Sequence, residues 1–112
     1  MNKQIIYLAC PYSHESREVR LARFHAANLA AGKLMEKGHI VFSPISHTHP
    51  IAEACALPLG WEFWRHFDES YLSISAGLFV LCIDGWRESA GVTAEIAIAS
   101  QLGLPIKYIQ PC

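Results

Sequence analysis

Charged residues are scarce in this chain of 112 residues: they make up 17% of the sequence, and lysine and arginine form no run. A protein that binds the phosphate backbone of nucleic acids normally carries a basic patch, and the net charge here is -1, so polymeric nucleic acid is disfavoured as a partner. With hydrophobic residues at 52%, little polar material remains to cover a surface. We therefore expect a homo-oligomer, a dimer or a tetramer.

Long apolar runs and paired cysteines are also missing. No run reaches the ~18 residues of a membrane-spanning helix, and the N-terminus lacks the pattern of a signal peptide. The four cysteines are widely spaced and form no C-x-x-C pair; they are Cys10, Cys55, Cys82 and Cys112. These absences predict a cytoplasmic protein with reduced thiols and no membrane partner.

Phosphate-binding glycine loops are absent as well. The sequence contains neither G-x-x-x-x-G-K-[ST] nor G-x-G-x-x-G, which excludes the loops of P-loop nucleotidases and of dehydrogenases. Histidines, in contrast, are numerous, and His47 and His49 lie two positions apart. A zinc site would combine them with Cys10, His14 or Cys55, but an H-x-H pair without a nearby C-x-x-C is a weak signal. We therefore expect no metal site.

Hydrophobic periodicity and turn residues predict strands and helices in strict alternation. The predicted strands are 4–10, 39–43, 78–84 and 105–110, the predicted helices are 15–37, 61–75 and 90–102, and a long loop is predicted at 44–60. This order predicts a single α/β domain over residues 1–112. Its expected architecture is a Rossmann-like (flavodoxin-like) parallel sheet of four or five strands with helices on both faces.

Ligands of such sheets bind beyond the carboxyl ends of the strands, near the point where the strand order reverses. That rule selects residues 10–16, 43–50, 84–91 and the tail after Ile109. In the third of these segments, the backbone amides around Ser89 to Gly91 begin a predicted helix, and they offer a site for an anion.

One carboxylate, Glu95, stands in the middle of the last predicted helix, which is otherwise built from small and apolar residues. Ser89 is a good N-cap residue for this helix. Glu95 lies six positions further on and is not the acid of a capping box, which belongs three positions after the cap. Two interpretations remain open: a solvent-facing glutamate, or a carboxylate that faces the ligand edge of the sheet and acts as nucleophile or base.

Two aspartates also admit a structural and a functional interpretation. Asp84 ends the third predicted strand, either as a turn residue or as a carboxylate aimed at the ligand. For Asp68, spacing alone favours a solvated face of the second predicted helix. Aromatic residues as dense as those in this helix are more typical of core or subunit contacts than of a surface that stacks on a base; they are Trp61, Phe63, Trp64 and Phe67.

Three separated segments together resemble the nucleoside 2-deoxyribosyltransferase superfamily. "IYLACPYS" is similar to that family's first strand and ligand loop, usually written I-Y-L-A-G-P, and "FDESYL" places an aspartate on the helix before the third strand. "DGWRESAGVTAEIAIASQLGLPI" is similar to the family signature, in which a small-residue turn and a glutamate open a helix that ends in Leu-Gly-x-Pro. The resemblance covers most of the chain, is closest to a small bacterial and phage branch, and extends to 2'-deoxynucleoside 5'-phosphate N-hydrolases.

The resemblance implies roles for individual residues. Glu95 matches the catalytic glutamate that attacks the anomeric carbon, and Tyr7 matches a tyrosine that holds this glutamate or the sugar. Asp68 matches an acid found near the base in the N-hydrolases, and Asp84 lies near an acid that transferases place beside the nucleobase. Ser89 matches a residue that binds the 5' end of the substrate.

Further substrate-binding residues are implied in the segments at the ligand edge; they are Pro11, Ser13, His47, His49, Trp86 and Gly91. Two departures from the family pattern bear on the reaction. Cys10 replaces the usual glycine, which narrows the first loop. The chain ends at Cys112 without the asparagine-bearing tail that transferases lend to a neighbouring subunit, which favours hydrolysis or binding alone over transfer.

The implied reaction is cleavage or transfer of the N-glycosidic bond of a nucleoside or nucleoside 5'-monophosphate. A glutamate nucleophile gives a covalent glycosyl intermediate, a second acid protonates the departing base, and no metal or organic cofactor is needed. If Asp68 or Asp84 approaches Glu95, their repulsion raises one of the pKa values. The alternative is a non-catalytic nucleotide-binding module of the same fold.

Overall fold

A computed structural model describes residues 3–111, so Cys112 lies outside the described part of the chain. The strands are β1 (Ile5–Ala9), β2 (Ile40–Phe42), β3 (Gly77–Leu81) and β4 (Ile106–Ile109). The helices are α1 (Arg17–Glu36), α2 (Pro44–Cys55), α3 (Trp61–Ser73) and α4 (Ala90–Gln101). The predicted order of strands and helices is confirmed, with one additional helix in the place of the predicted loop.

The strands form one parallel sheet in the order β2-β1-β3-β4. β1 pairs with β2 through Ile5↔Ile40 on one side and with β3 through Ile6↔Gly77 on the other. The chain first winds outward from β1 to β2 and then crosses back to β3, so the order reverses between β1 and β3. The predicted fold, a single doubly wound α/β domain with a parallel sheet, is confirmed.

Alternation along the strands divides the core between the two faces of the sheet. Tyr7 of β1 belongs to a buried cluster with residues of α3 and α4, such as Leu72 and Val92. Leu8, one position later, belongs to a second cluster that contains the alanine stripe of α1, Ala27, Ala30 and Ala31. Helices therefore cover both faces, with α3 and α4 on one face and α1 on the other.

The prediction of a loop over residues 44–60 is wrong for most of its length, because 44–55 form α2. Pro44 occupies the first helical turn, where its missing N–H and fixed φ are tolerated. Pro50 lies inside the helix and removes one backbone hydrogen bond. The helix nevertheless forms because it buries His49 and Ala52, which offsets its poor propensity.

The third strand is shorter than predicted. It ends at Leu81, so residues 82–84 belong to the loop that follows, and Asp84 lies three positions beyond the end of the strand. Over residues 3–111, no helix combines the length and the apolar character needed to cross a membrane.

Candidate functional site

A cleft of about 350 Å³ opens at the carboxyl edge of the sheet. Three of the four segments selected by the ligand-edge rule line it: Cys10 and Ser13 after β1, Pro44 and Thr48 after β2, and residues 88–91 at the start of α4. Gln110 and Pro111, the described residues of the tail after Ile109, do not line this cleft. The cleft thus lies where loops from both sides of the β1/β3 reversal meet, as the topology requires.

One face of α3 forms a wall of the cleft. Trp61, Trp64 and Asp68 all line it, and they follow one another at i, i+3 and i+7, which places them on the same side of a helix. The Trp64 indole N–H donates to the carbonyl of Pro58 at 2.8 Å. This hydrogen bond fixes the orientation of the indole ring, so this part of the wall is preorganised.

The first turns of α4 form the opposite wall. Ser89 caps the helix as predicted, because its hydroxyl accepts a hydrogen bond from the Val92 N–H at 3.1 Å. Gly91 and Glu95 are four positions apart and therefore share the face that lines the cleft. A Cβ on Gly91 would lie 3.7 Å from the Trp61 ring, so α3 and α4 approach closely at this point.

Asp68 and Glu95 line the floor of the cleft, and Tyr7 lies behind them, fully buried. The Tyr7 hydroxyl donates a hydrogen bond to Glu95 Oε2, and the charge of Asp68 acts on both Tyr7 and Glu95. The three side chains are nearly removed from solvent, with exposed fractions of 0%, 5% and 9% for Tyr7, Glu95 and Asp68. The solvated-face interpretation of Asp68 is therefore wrong, and Glu95 faces inward.

Burial controls the proton affinity of this group. Burial raises the pKa of Asp68 from 3.8 to about 7, against an opposing hydrogen bond from Tyr7. Burial also raises the pKa of Glu95 well above its ordinary range, the charge of Asp68 adds to this, and the Tyr7 hydrogen bond opposes it. The pKa of Tyr7 is raised by burial and by the two carboxyls, which keeps its hydroxyl a donor. Both acids therefore bind a proton more tightly than a carboxyl group in water does.

A second polar contact supports the loop after β1. The Tyr12 hydroxyl, which lines the cleft, lies 2.5 Å from Nδ1 of His49 on α2. The His49 ring stacks on Phe24 with centroids 4.3 Å apart, and burial lowers the pKa of this histidine. A neutral His49 thus ties α2 to the cleft wall without lining the cleft itself.

Arg23 of α1 links the loops on either side of the strand-order reversal. Its guanidinium donates to the carbonyl of Ser13 at 3.1 Å and to that of Asp84 at 3.5 Å. Gly85 has a φ of 91°, and a Cβ there would lie 2.5 Å from the Arg23 guanidinium. The positive φ is what favours glycine at this position, since the flexible Arg23 side chain can move away from an added Cβ.

The structure brings five of the residues predicted from the sequence to the cleft. Asp68 and Glu95 form the floor, and Ser13, Ser89 and Gly91 line the walls. Tyr7 lies behind the floor and contacts the cleft through its hydrogen bond to Glu95. Pro11 is fully buried between two lining residues and shapes the first loop from behind. His49 acts at one remove, through Tyr12.

Three predicted residues lie elsewhere. Asp84 is exposed and, with Trp86, lines a separate depression on the far side of the 84–88 loop, next to Tyr108. His47 is exposed and faces Phe42 across a different groove. Asp84 lies outside the cleft because β3 ends three residues before it, so the chain has already left the sheet edge at this position.

Sequence reasoning missed the two cleft tryptophans and Tyr12. The density of aromatic residues in this helix favours core or subunit contacts for Trp61 and Trp64, yet both line the cleft. Their i, i+3, i+7 relation to Asp68 is the signal in the sequence that points to a shared face. Tyr12 lies within the segment 10–16 that the ligand-edge rule selected. Its partner His49 is 37 residues away, a contact that no local pattern indicates.

The buried thiol of Cys10 also lines the cleft. Burial raises the pKa of this thiol to about 12, so it stays protonated and is a poor nucleophile. Cys55 and Cys82 are free as well. Within the part of the chain that the structure describes, no cluster of three or more His, Cys, Asp or Glu side chains could hold a metal ion.

Comparison with known proteins gives one family. No curated protein matches the chain. A family model described as "Domain of unknown function (DUF1937)" matches residues 4–110, nearly the whole chain. The protein with this buried tyrosine–carboxyl site therefore belongs to the DUF1937 family.

Proposed function

We propose that this protein cleaves the N-glycosidic bond of a nucleoside or nucleoside 5'-monophosphate, with Glu95 as the nucleophile. The observation that carries the proposal is the pair of buried carboxyls, Asp68 and Glu95, that line the cleft, with the buried Tyr7 hydroxyl donating a hydrogen bond to Glu95. Burying an acid costs free energy of folding, and perturbed pKa values in a cleft are typical of functional sites.

Glu95 is the candidate nucleophile because its Oε2 is the carboxyl oxygen that accepts the hydrogen bond of the Tyr7 hydroxyl. The hydrogen bond from the Tyr7 hydroxyl favours the carboxylate of Glu95 over the neutral acid. Attack by this carboxylate on the anomeric carbon gives a covalent glycosyl ester. The oxocarbenium-like transition state carries positive charge beside the carboxylate, so their Coulomb attraction stabilises the transition state more than the bound substrate.

Asp68 is the candidate general acid. A pKa of about 7 keeps a substantial fraction of this carboxyl protonated at neutral pH, and such a value suits proton transfer to a departing base. Its position on α3, one turn beyond Trp64, places it below an aromatic wall on which a planar base can stack. Water, or a second base, then resolves the intermediate.

The sugar end of the substrate is assigned to the start of α4. Ser89 and Gly91 line the cleft on the side of Glu95, and free amides at a helix N-terminus bind hydroxyl or phosphate oxygens. A cleft of about 350 Å³ is within the range that holds a small ligand.

A non-catalytic nucleotide-binding module is the second candidate, and one observation favours it. Burial and the nearby Asp68 raise the pKa of Glu95 well above its ordinary range, and a neutral glutamic acid is a poor nucleophile. In a binding module, Ser89 and the tryptophans would carry the recognition of the ligand, and Glu95 would be dispensable.

Self-association and location are proposed with the function. Phe63 and Phe67 on α3 are exposed, at 37% and 42%, and an apolar surface of this kind fits a contact between copies of the chain in a homo-oligomer. The free cysteines Cys10, Cys55 and Cys82 fit a cytoplasmic location with reduced thiols.

The test is incubation with a panel of ribo- and deoxyribonucleosides and their 5'-monophosphates, followed by chromatography of the free base. Release of base that disappears in Glu95→Ala supports the enzyme. Binding without release, retained in Glu95→Ala, supports the binding module. If no member of the panel is cleaved or raises the melting temperature, both functions are rejected.

A further inference from the structure

The cleft lining carries charge of one sign only. Asp68, Glu88 and Glu95 line it, and none of the lining residues within the described part of the chain is Lys, Arg or His. Carboxylates around a concave apolar surface focus a negative potential, which attracts cations. Asp68 and Glu95 are buried, whereas Glu88 is exposed.

Aromatic faces accompany these acids. Trp61 and Trp64 line the same cleft together with Tyr12. Trp61 packs against the first turn of α4, 3.7 Å from the Cβ position of Gly91, and Trp64 is held by its bond to the Pro58 carbonyl. The face of an indole attracts cations more strongly than any other side-chain ring, and cages of aromatic and acidic side chains select organic cations.

We propose that the cleft selects a ring that carries positive charge, such as an N-alkylated pyridinium or purine base, over its neutral counterpart. Resting on the proposed function, the preferred substrates are then N-glycosides of cationic bases. The acids supply the attractive field, the two indoles supply stacking and cation–π contact, and no basic side chain among the described lining residues opposes the ligand.

The chemistry of such a substrate removes the need for a proton at the leaving group. The bond between the anomeric carbon and the ring nitrogen breaks, its electron pair goes to the nitrogen, and the base leaves neutral while Glu95 Oε forms the ester. Water then attacks the anomeric carbon, breaks the ester, and gives its proton to the Asp68 carboxylate. The sugar leaves with a hydroxyl group at that carbon.

Ligand charge and the charge of the acids are linked. A cation beside Asp68 and Glu95 favours their ionised forms, so binding releases protons and tightens as the pH rises from about 6 to 8. The groups that face these acids are Tyr7 on β1 and, near Glu95, the Cys10 thiol. The described lining residues of α2 are not titratable, and Arg23 acts on Cys10 from α1.

The experiment compares two probes of nearly equal shape and different charge, 1-methylnicotinamide and nicotinamide, by titration calorimetry. We expect the cation to bind at least about tenfold more tightly, with affinity that increases with pH and decreases with salt. Glu88→Gln changes an exposed side chain and leaves the core intact, and it should weaken binding of the cation but not of the neutral probe. Trp64→Leu should weaken binding of the cation further. Phe67→Leu, on the same helix but outside the cleft, should leave the binding of both probes unchanged.

The results separate this inference from the proposed function. Equal or weaker binding of the cation overturns the inference, and so does a preference that Glu88→Gln and Trp64→Leu both leave unchanged. Cleavage of neutral nucleosides without any preference for the cation leaves the glycosidase proposal standing alone. Tight cation binding without release of base from any nucleoside, nicotinamide riboside included, rejects the glycosidase and retains the cation site.

Discussion

The two faces of the sheet bury different chemistry, although consecutive residues of the same strands supply both. On the α1 face, Leu8 and Leu81 pack against the alanine stripe of α1, and Cys10 is the most polar member of that cluster. On the α3/α4 face, Tyr7 and its neighbours enclose the carboxyls of Asp68 and Glu95. One step along β1, from residue 7 to residue 8, passes from the site to the apolar core.

This difference separates the contribution of each face to stability from its contribution to function. Apolar burial on the α1 face stabilises the fold. Burying two carboxyls on the other face costs free energy, because each loses hydration that Tyr7 replaces only in part. A sequence that keeps such a group gains nothing in stability from it, which is why the polar face is the place to look for function.

The largest effect is expected for Glu95→Gln. The amide keeps the shape and can still accept the hydrogen bond from Tyr7, but it cannot attack the anomeric carbon. We expect release of base to fall at least about a thousandfold, while the melting temperature is unchanged or higher because a buried acid has been removed. Chromatography and thermal unfolding measure the two quantities. Glu36→Gln, which changes an exposed acid at the end of α1, is the control. Undiminished release of base in Glu95→Gln would contradict the role of Glu95 as the nucleophile.

Leu8→Ala tests the other face. Leu8 is fully buried, and truncation of such a leucine removes apolar contacts and leaves a cavity, so the free energy of unfolding should decrease by about 2–5 kcal/mol. Denaturant titration measures this change. Well below the melting temperature, release of base per folded molecule should stay at the level of the unaltered protein. A strong loss of activity in folded Leu8→Ala would show that the two faces are not separate.

The pH dependence of stability should come mainly from the polar face. The pKa of Asp68 rises from 3.8 to about 7 on folding, so the folded state binds more protons than the unfolded state. The stability that Asp68 contributes is fully present below about pH 4 and is lost as the pH rises through 7, by a few kcal/mol at about 1.4 kcal/mol per pKa unit.

Asp68→Asn removes this contribution, because the amide does not titrate. The variant should gain stability at pH values above about 7 and show a flatter profile between about pH 4 and 7. Denaturant titrations of both proteins across this range make the comparison. An identical pH profile in the two proteins would mean that Asp68 titrates in the folded state as it does in water.

Tyr7→Phe should have an intermediate effect on activity. Without the hydroxyl, Glu95 loses the donor that favours its carboxylate, so we expect kcat to fall about 10- to 100-fold and the acidic limb of the pH–rate profile to move to higher pH. Tyr71→Phe is the matched control, since Tyr71 stacks on Phe42 outside the cleft. A uniform fall of kcat with an unchanged pH profile would assign Tyr7 a structural role only.

Local patterns predicted the fold and only part of the site. The strands and three of the helices follow from periodicity and from breakers such as Gly38 and Gly103. Helix α2 does not follow from the local pattern, because Pro44 and Pro50 are residues that usually interrupt a helix. Packing against α1 stabilises α2, and a local stretch of sequence does not indicate such a tertiary contact.

The same limit applies to the side chains of the site. Glu95 stood out because an acid in an apolar helix contradicts its surroundings. Asp68 sits among charged neighbours, so spacing placed it in solvent, and only the family resemblance singled it out. The Tyr12–His49 contact joins residues from two different elements, and its existence depends on the packing of α2, which the sequence did not predict.

The smallest effects are expected at two helix caps, one for each face. Ser16 caps α1 through the Val19 N–H at 3.4 Å, and Ser89 caps α4 through the Val92 N–H at 3.1 Å. Alanine at either position should lower the free energy of unfolding by about 1 kcal/mol, because one helix N–H loses its partner. Only Ser89 lines the cleft, so only Ser89→Ala should also raise KM, by several-fold, for a substrate whose 5' end rests there. Equal KM values in the two variants would place the 5' end away from α4, even with the cap energies as expected.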